Sequence, residues 1–145
     1  EVGLLFLGIF AAMPPALGYL SAHGPALGLS TPTAFYFGTG SLSAILDNAP
    51  TYLAFLQIAF GPTEINAASI AAFTATPVGL GELHAISTAA VFFGALTYIG
   101  NGPNFMVKAI AEKAGVRMPS FFGYMAYSFL VLLPILALNA WLVLD

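Results

Sequence analysis

The chain has 145 residues, of which 59% are hydrophobic and 6% are charged, whereas a soluble domain carries about a quarter charged residues. Three Lys or Arg and six Asp or Glu cannot cover a soluble protein of this length, and the basic residues are too few for a nucleic-acid interface. The absence of cysteine excludes disulfides and thiolate sites. The composition therefore predicts an integral membrane protein that contacts the lipid bilayer. Because the sequence opens on Glu1 rather than Met, we expect it to be part of a longer polypeptide.

A first transmembrane helix is predicted over residues 1–22. Its apolar part is about 19 residues long, close to the roughly 20 that cross about 30 Å of hydrocarbon. Pro14 and Pro15 interrupt it and predict a kink, since proline removes backbone donors. Membrane helices tolerate such a kink where neighbouring protein satisfies the freed carbonyls. The glycines and prolines of residues 21–33 predict a loop.

Two short apolar limbs, residues 34–46 and 51–60, flank the sequence Asp47-Asn48-Ala49-Pro50. Each limb is about 10 to 13 residues long, which is too short to span a bilayer and is typical of a re-entrant segment. Pro50 suits the first helical position of the second limb, with Asn48 or Ala49 at the cap. We therefore predict a re-entrant helical hairpin over residues 34–60. The competing interpretation is one helix of about 27 residues, long enough to span, that is kinked at Pro50.

Asp47 is the only acid set deep in a long apolar run. An ionised carboxylate near the bilayer centre costs roughly 2.5 to 3.5 kcal/mol, so such a residue is by default a functional candidate. A hairpin tip at this position combines side-chain oxygens with the ends of two half-helices, as a desolvated cation or an anionic group requires. We assign Asp47 and Asn48 as sodium ligands, within a candidate site that also includes Thr51, Ser43 and Ser41.

Between residues 61 and 81 the sequence predicts turns and one short interfacial helix at about 65–74. Glu64 and Glu82 lie in or beside these loop segments. Water solvates a carboxylate in such a place, so we expect a structural role for both.

The apolar stretch over residues 82–115 is interrupted at Gly100-Asn101-Gly102-Pro103-Asn104. Glycine costs roughly 1 kcal/mol and proline about 3 kcal/mol in a helix interior, so we predict a transmembrane helix that is unwound inside the membrane, as in transporters. Gly100 fits the end of its first half and Pro103 the start of its second. A surface loop between two helices is the alternative, but residues 105–114 are too short to span alone. The candidate site therefore also includes Gly100, Asn101, Gly102 and Asn104.

Asn48-Ala49-Pro50 and Asn101-Gly102-Pro103 share an Asn-x-Pro pattern at two predicted helix breaks. We expect the two breaks to converge on one ion site from opposite sides.

All three basic residues, Lys108, Lys113 and Arg117, lie within ten positions, which predicts a cytoplasmic location for that end of the broken helix. A last transmembrane helix is predicted over residues 120–144. The resulting topology has a cytoplasmic Glu1, a hairpin that opens from the outside, and an external C-terminus.

The motifs Asp47-Asn48-Ala49-Pro50-Thr51-Tyr52 and Tyr98-Ile99-Gly100-Asn101-Gly102-Pro103-Asn104-Phe105-Met106-Val107-Lys108 together resemble the C-terminal half of the sodium:proton antiporter and citrate-transporter-like group of the ion transporter superfamily. The resemblance covers about Phe35 to Leu144. It implies one inverted repeat of an elevator-type secondary transporter that works as a homodimer and needs the N-terminal half of the same transporter. It also implies that Asp47, Asn48 and Thr51 lie at the hairpin tip, with residues 100–104 at the broken helix. For its location we expect a bacterial inner membrane.

Other branches of the superfamily carry Ser-Asn-Thr at the tip, whereas here an acid precedes the Asn. This difference favours cation and proton exchange over dicarboxylate binding. We therefore predict a sodium:proton antiporter without a resident cofactor, in which Asp47 binds a sodium ion and a proton alternately. The alternative is a cation- or proton-coupled symporter of citrate or a dicarboxylate, with the anion held by half-helix amide ends near Asn48 and Gly102.

Two further classes fit less well. An intramembrane aspartyl hydrolase needs two carboxylates that divide acid and base roles, and only Asp47 is deep in an apolar run, so we do not expect an enzyme. A non-catalytic membrane scaffold leaves Asp47 unexplained.

Overall fold

The computed structural model describes residues 2–144. The predictions of a cytoplasmic Glu1 and an external C-terminus concern Glu1 and Asp145, which lie outside the described residues. The described residues form α-helices, 3₁₀ turns and irregular connections without a strand, which confirms the all-α class. The α-helices are α1 (Val2–His23), α2 (Pro32–Ser43), α3 (Asn48–Phe60), α4 (Ala67–Thr74), α5 (Pro77–Phe92), α6 (Gly102–Lys113) and α7 (Phe121–Leu144), with 3₁₀ turns at Gly24–Leu27 and Phe93–Leu96.

Two segments among the described residues are long and apolar enough to cross a membrane. One combines α5 with the 3₁₀ turn that follows it (Pro77–Leu96), and the other is most of α7 (Phe121–Leu142). Together with the composition, these segments support an integral membrane protein.

Helices α2 and α3 form a helical hairpin around a turn at residues 44–47. Thr31 caps α2 by accepting a hydrogen bond from the Ala34 amide at 3.1 Å. Midway along the pair, a Cβ placed on Gly38 would lie 3.1 Å from the Phe55 ring, so α3 returns alongside α2. The two predicted limbs are therefore separate helices in contact, which excludes the competing interpretation of one helix with a simple kink.

Helix α5 lies alongside α2 and runs in the same direction. Gly81 approaches Pro32 near the start of both helices, and Phe93 packs on Gly40 near their other ends. The fully buried core between them is made of Phe35, Tyr36, Ala85, Ile86 and Ala89.

Helix α7 runs opposite to α2 and α5. In its first half, Ser128 Oγ donates to the Leu96 carbonyl at 2.6 Å, and in its second half the carbonyl of Leu136 accepts from the Tyr36 hydroxyl at 3.1 Å. Ser128 is about two turns into α7, which is roughly 10 Å along the axis at 1.5 Å per residue. The end of the Phe93–Leu96 turn therefore lies within the length of α7 and not beside its first residue.

One element begins earlier than the sequence predicts. Helix α5 starts at Pro77, where Thr76 Oγ1 accepts from the Gly79 amide at 3.0 Å and proline occupies a first-turn position that needs no donor. Glu82 therefore lies on the second turn of a helix and is only 9% exposed. The prediction that water solvates Glu82 in a loop is wrong, whereas Glu64 is exposed as expected.

Helix α1 packs on α3, and Ser21 Oγ donates to the Gly61 carbonyl at 2.9 Å. Pro14 and Pro15 lie inside α1. The short helix predicted at about 65–74 is α4, which is capped by a reciprocal pair of hydrogen bonds between Asn66 and Ser69.

Candidate functional site

Asp47 is the residue that begins the second limb of the hairpin. It is the N-cap of α3, and its Oδ1 accepts from the Asn48 amide at 2.8 Å. The cap predicted at Asn48 or Ala49 is therefore one or two residues too late, and Pro50 is the third residue of the helix. The first-turn amides of a helix have no internal partner, so proline is tolerated there. The half-buried Asp47 carboxylate thus lies at the positive end of the α3 dipole.

Asn48 and Ser43 connect the hairpin to α5 and to the break beyond it. Ser43 Oγ donates to the Ala90 carbonyl at 2.6 Å. The Asn48 side chain faces the carbonyls of Ala90 and Gly100, which only accept, so its Nδ2 donates to them at 2.8 and 3.1 Å. Ser43 Oγ also lies 3.1 Å from the side-chain amide group of Asn48. These two side chains hold backbone segments together, while their role as sodium ligands stays a prediction.

The break in the predicted transmembrane helix covers Thr97 to Asn101. The first half ends at Leu96, so Gly100 lies inside the break and not at the end of that half. Thr97 Oγ1 donates to the Ala44 carbonyl at 2.5 Å and accepts from the Gly100 amide at 2.9 Å. On the far side, Asn104 Nδ2 donates to the carbonyls of Gly94 and Thr97 at 2.9 and 3.1 Å. The second half begins at Gly102, with Pro103 in its first turn as predicted.

The hairpin turn and the break touch through their backbones. A Cβ on Gly100 would lie 2.7 Å from the Ala44 carbonyl oxygen and 2.8 Å from those of Ser43 and Gly94. A Cβ on Gly94 would overlap the terminal amide group of Asn48. Glycine is therefore required at both positions by the close approach. We call this contact between residues 43–48 and residues 94–104 the tip–break junction.

Thr51 contributes a hydroxyl that has no partner. Its side chain is 1% exposed, and its Oγ1 makes no hydrogen bond with any described residue. Leaving a buried hydroxyl unpaired costs about 1 to 3 kcal/mol, so such a group requires an explanation. Thr51 is four residues after Asp47, and its backbone amide donates to the Asp47 carbonyl at 3.3 Å. Thr39 on α2 has the same unpaired state.

Three predicted site residues do not join the tip–break junction through a hydrogen bond. Ser41 and Gly102 are exposed, and Asn101 is half-buried. Asn101 is the N-cap of α6, but its side chain makes no capping hydrogen bond. The amide groups at the start of α6 therefore have no side-chain cap.

Two residues of the junction, Thr97 and Gly94, are absent from the sequence prediction. Threonine is not a helix breaker, and Gly94 lies inside an apolar run. The sequence signal that would find Gly94 is a glycine about one and a half turns before the Gly-Asn-Gly-Pro motif.

A pocket of about 400 Å³ lies beside the tip, between α1, α3 and α5. The start of α3 faces Phe10 of α1 and the last turn of α5 across this pocket. Its lining residues are Phe10, Asn48, Ala49, Tyr52, Leu53, Ala90 and Val91.

The sequence pattern of a protein family described as "Putative citrate transport" matches residues 1–144. The chain belongs to this citrate-transporter-like family. The match covers both motifs on which the resemblance rests and confirms it. The family implies a membrane transporter in place of an enzyme. No curated protein and no solved structure matches the chain significantly.

Proposed function

We propose that the chain is one repeat of a secondary active transporter that exchanges sodium for protons at Asp47. The observation that carries the proposal is the position of Asp47 at the tip–break junction, one turn before the buried and unpaired hydroxyl of Thr51. A carboxylate and a neutral hydroxyl oxygen are the ligand types that a hard cation takes from a protein.

The proposal includes a re-entrant position of the hairpin in the membrane. Helix α2 has 12 residues and is therefore about 18 Å long, which is less than the roughly 30 Å of the hydrocarbon core. Contact of Leu96, the last residue before the break, with α7 about 10 Å from the start of that helix supports the same depth. The tip would then lie inside the membrane.

Electrostatics supply the coupling in this mechanism. Asp47 with a proton and Asp47 with a sodium ion are both neutral, whereas the empty carboxylate costs roughly 2.5 to 3.5 kcal/mol near the bilayer centre. That cost lowers the population of the empty, ionised state inside the membrane by roughly a hundredfold relative to the same state in water. The carrier therefore crosses loaded with one ion or the other, so the exchange is obligatory without a second acid. Asn48 and the break residues position the turn that holds Asp47.

The repeat requires partners that complete the site. We propose that the N-terminal half of the same transporter provides the other hairpin and break, and that the protein is a homodimer with an elevator-like transport domain. Lys113 and Arg117 are exposed at and beyond the end of α6, and Lys108 pairs with Glu112 at 2.6 Å. The positive-inside rule assigns this end to the cytoplasm, here of a bacterial inner membrane.

The test is made on the whole transporter in proteoliposomes that contain a pH-sensitive dye. We expect external sodium or lithium to drive proton movement in the wild type. The control variant Glu64→Gln is expected to behave in the same way, because Glu64 is exposed and distant from the tip in sequence. Asp47→Asn is expected to abolish that movement. Sodium-dependent proton flux that survives Asp47→Asn would refute the assignment of Asp47.

Citrate symport is the second candidate, and two observations favour it. The family is described by citrate transport, and Asn101 does not cap α6 with its side chain, which leaves the exposed Gly102 amide as a donor for a carboxylate. Flux that requires citrate and is unaffected by Asp47→Asn would select this candidate over the antiporter.

A further inference from the structure

A second pocket lies at the other end of the hairpin from the tip, where α3 ends and α2 begins. Its volume is about 300 Å³. Glu82 on α5 lines it, together with Pro25, Leu29, Phe35, Ile58 and Gly61. Glu82 is eight residues before Ala90, which contacts the tip, so the two places are about 12 Å apart along α5. This pocket is separate from the candidate transport site.

Glu82 is a buried carboxylate without a partner. The residue is nine-tenths buried and lines the pocket, and none of the described residues forms a hydrogen bond or ion pair with its carboxylate. A buried charge is costly unless another charge or a set of donors compensates it. The sequence places every Lys and Arg between residues 108 and 117, and none of them lines the pocket.

The surroundings of Glu82 contain helix ends of both signs, and the first turns of α2 and α5 carry partial positive charge. The C-terminal end of α3 lies at the pocket, and the last carbonyls of a helix carry partial negative charge. Glu64, exposed and three residues after Gly61, adds a further negative charge near the same end. Neither histidine lines the pocket. His84, two residues after Glu82, is exposed, and His23 stacks on Tyr19 with its Nδ1 3.1 Å from the Tyr19 carbonyl. The pocket thus contains negative charge and no compensating side chain.

We propose that this pocket binds a monovalent cation in a partly hydrated form, with Glu82 as the counter-charge. One carboxylate is neutralised by one positive charge, whereas a divalent ion would leave an uncompensated charge, since no second acidic side chain lines the pocket. A volume of about 300 Å³ holds an ion with several waters, since each water takes about 30 Å³. The site goes beyond exchange at Asp47 and does not depend on it.

Equilibrium binding of radioactive sodium to the purified whole transporter tests the proposal. We expect Glu82→Gln to lower the number of bound sodium ions per chain by one, while Glu64→Gln binds as many as the wild type. Asp47→Asn is expected to lose a different ion and to leave the one at Glu82 in place. Equal sodium binding by Glu82→Gln and the wild type would overturn the proposal, whatever the result for Asp47.

A second measurement covers the case in which Glu82→Gln does not fold. Dicyclohexylcarbodiimide modifies buried carboxyl groups, and mass spectrometry reports the modification at Glu82 in the wild type. We expect sodium to slow that modification and choline at the same concentration to leave it unchanged, both in the wild type and in Asp47→Asn. Modification of Glu82 at the same rate in sodium and in choline would overturn the proposal.

Discussion

Substitution of Gly100 by alanine tests the tip–break junction most sharply, because the chain contains its own control. The new Cβ would lie 2.7 to 2.8 Å from three carbonyl oxygens, those of Ala44, Ser43 and Gly94. All three belong to the backbone, so no side-chain rotation can relieve the overlap. Gly102 is two residues later in the same motif, and a Cβ there meets nothing within 4 Å.

The expected cost follows from the geometry. Overpacking a well-packed site costs about 1 to 3 kcal/mol, and backbone neighbours put Gly100→Ala in the upper part of that range. For a chain of this size each kcal/mol shifts the melting temperature by roughly 2 to 4 °C, so we expect a loss of about 5 to 10 °C. Gly102→Ala is expected to be neutral or slightly stabilising, since alanine is favoured over glycine in helices by up to about 1 kcal/mol.

The assay is thermal unfolding of the detergent-purified transporter, followed by circular dichroism at 222 nm. Proton exchange in proteoliposomes is measured on the same preparations, and we expect Gly100→Ala to be slower than Gly102→Ala because the tip is displaced from the break. Equal melting temperatures for the two variants would refute the close approach of the turn and the break.

Two further predictions concern buried hydroxyl groups. Thr51→Val and Thr39→Val each remove a buried hydroxyl without a partner, so both are expected to raise the melting temperature in sodium-free buffer. Only Thr51→Val is expected to weaken the additional stabilisation that sodium provides. An equal sodium effect in both variants would remove Thr51 from the site. Tyr36→Phe removes the hydrogen bond to the Leu136 carbonyl at 3.1 Å and is expected to cost about 1 kcal/mol of stability. We expect a lower melting temperature and an unchanged rate of proton exchange. A stability equal to that of the wild type would contradict the contribution of this contact between α2 and α7.

The sequence predicts the two interruptions well because proline, glycine and asparagine act locally. Pro50 and Pro103 both lie within the first turn of a helix, as their fixed backbone angle and missing donor require. The convergence of the turn and the break also follows the shared Asn-x-Pro pattern, although Asn48 alone of the two pattern asparagines bonds across the junction.

Features that depend on tertiary contacts are not visible in the sequence. The first half of the broken helix ends at Leu96 because Thr97 bonds to Ala44 across the junction, and threonine itself gives no stop signal. Glu82 resembles a loop residue because Gly79 and Gly81 precede it. The helix nevertheless starts at Pro77, since Thr76 caps it and the close approach of Phe73 to Gly79 requires a glycine there. Burial of Glu82 against α2 and α3 then follows from packing.

The central claim is that one carboxylate, Asp47, binds sodium and a proton in competition. Titration calorimetry of sodium binding in buffers of different ionisation enthalpy measures it directly, and the Glu82→Gln background removes the proposed second site. The account predicts that the observed enthalpy varies with the buffer because each sodium bound displaces a proton, and that Asp47→Asn abolishes this binding. Sodium binding without proton release, or binding retained in Asp47→Asn, would contradict it.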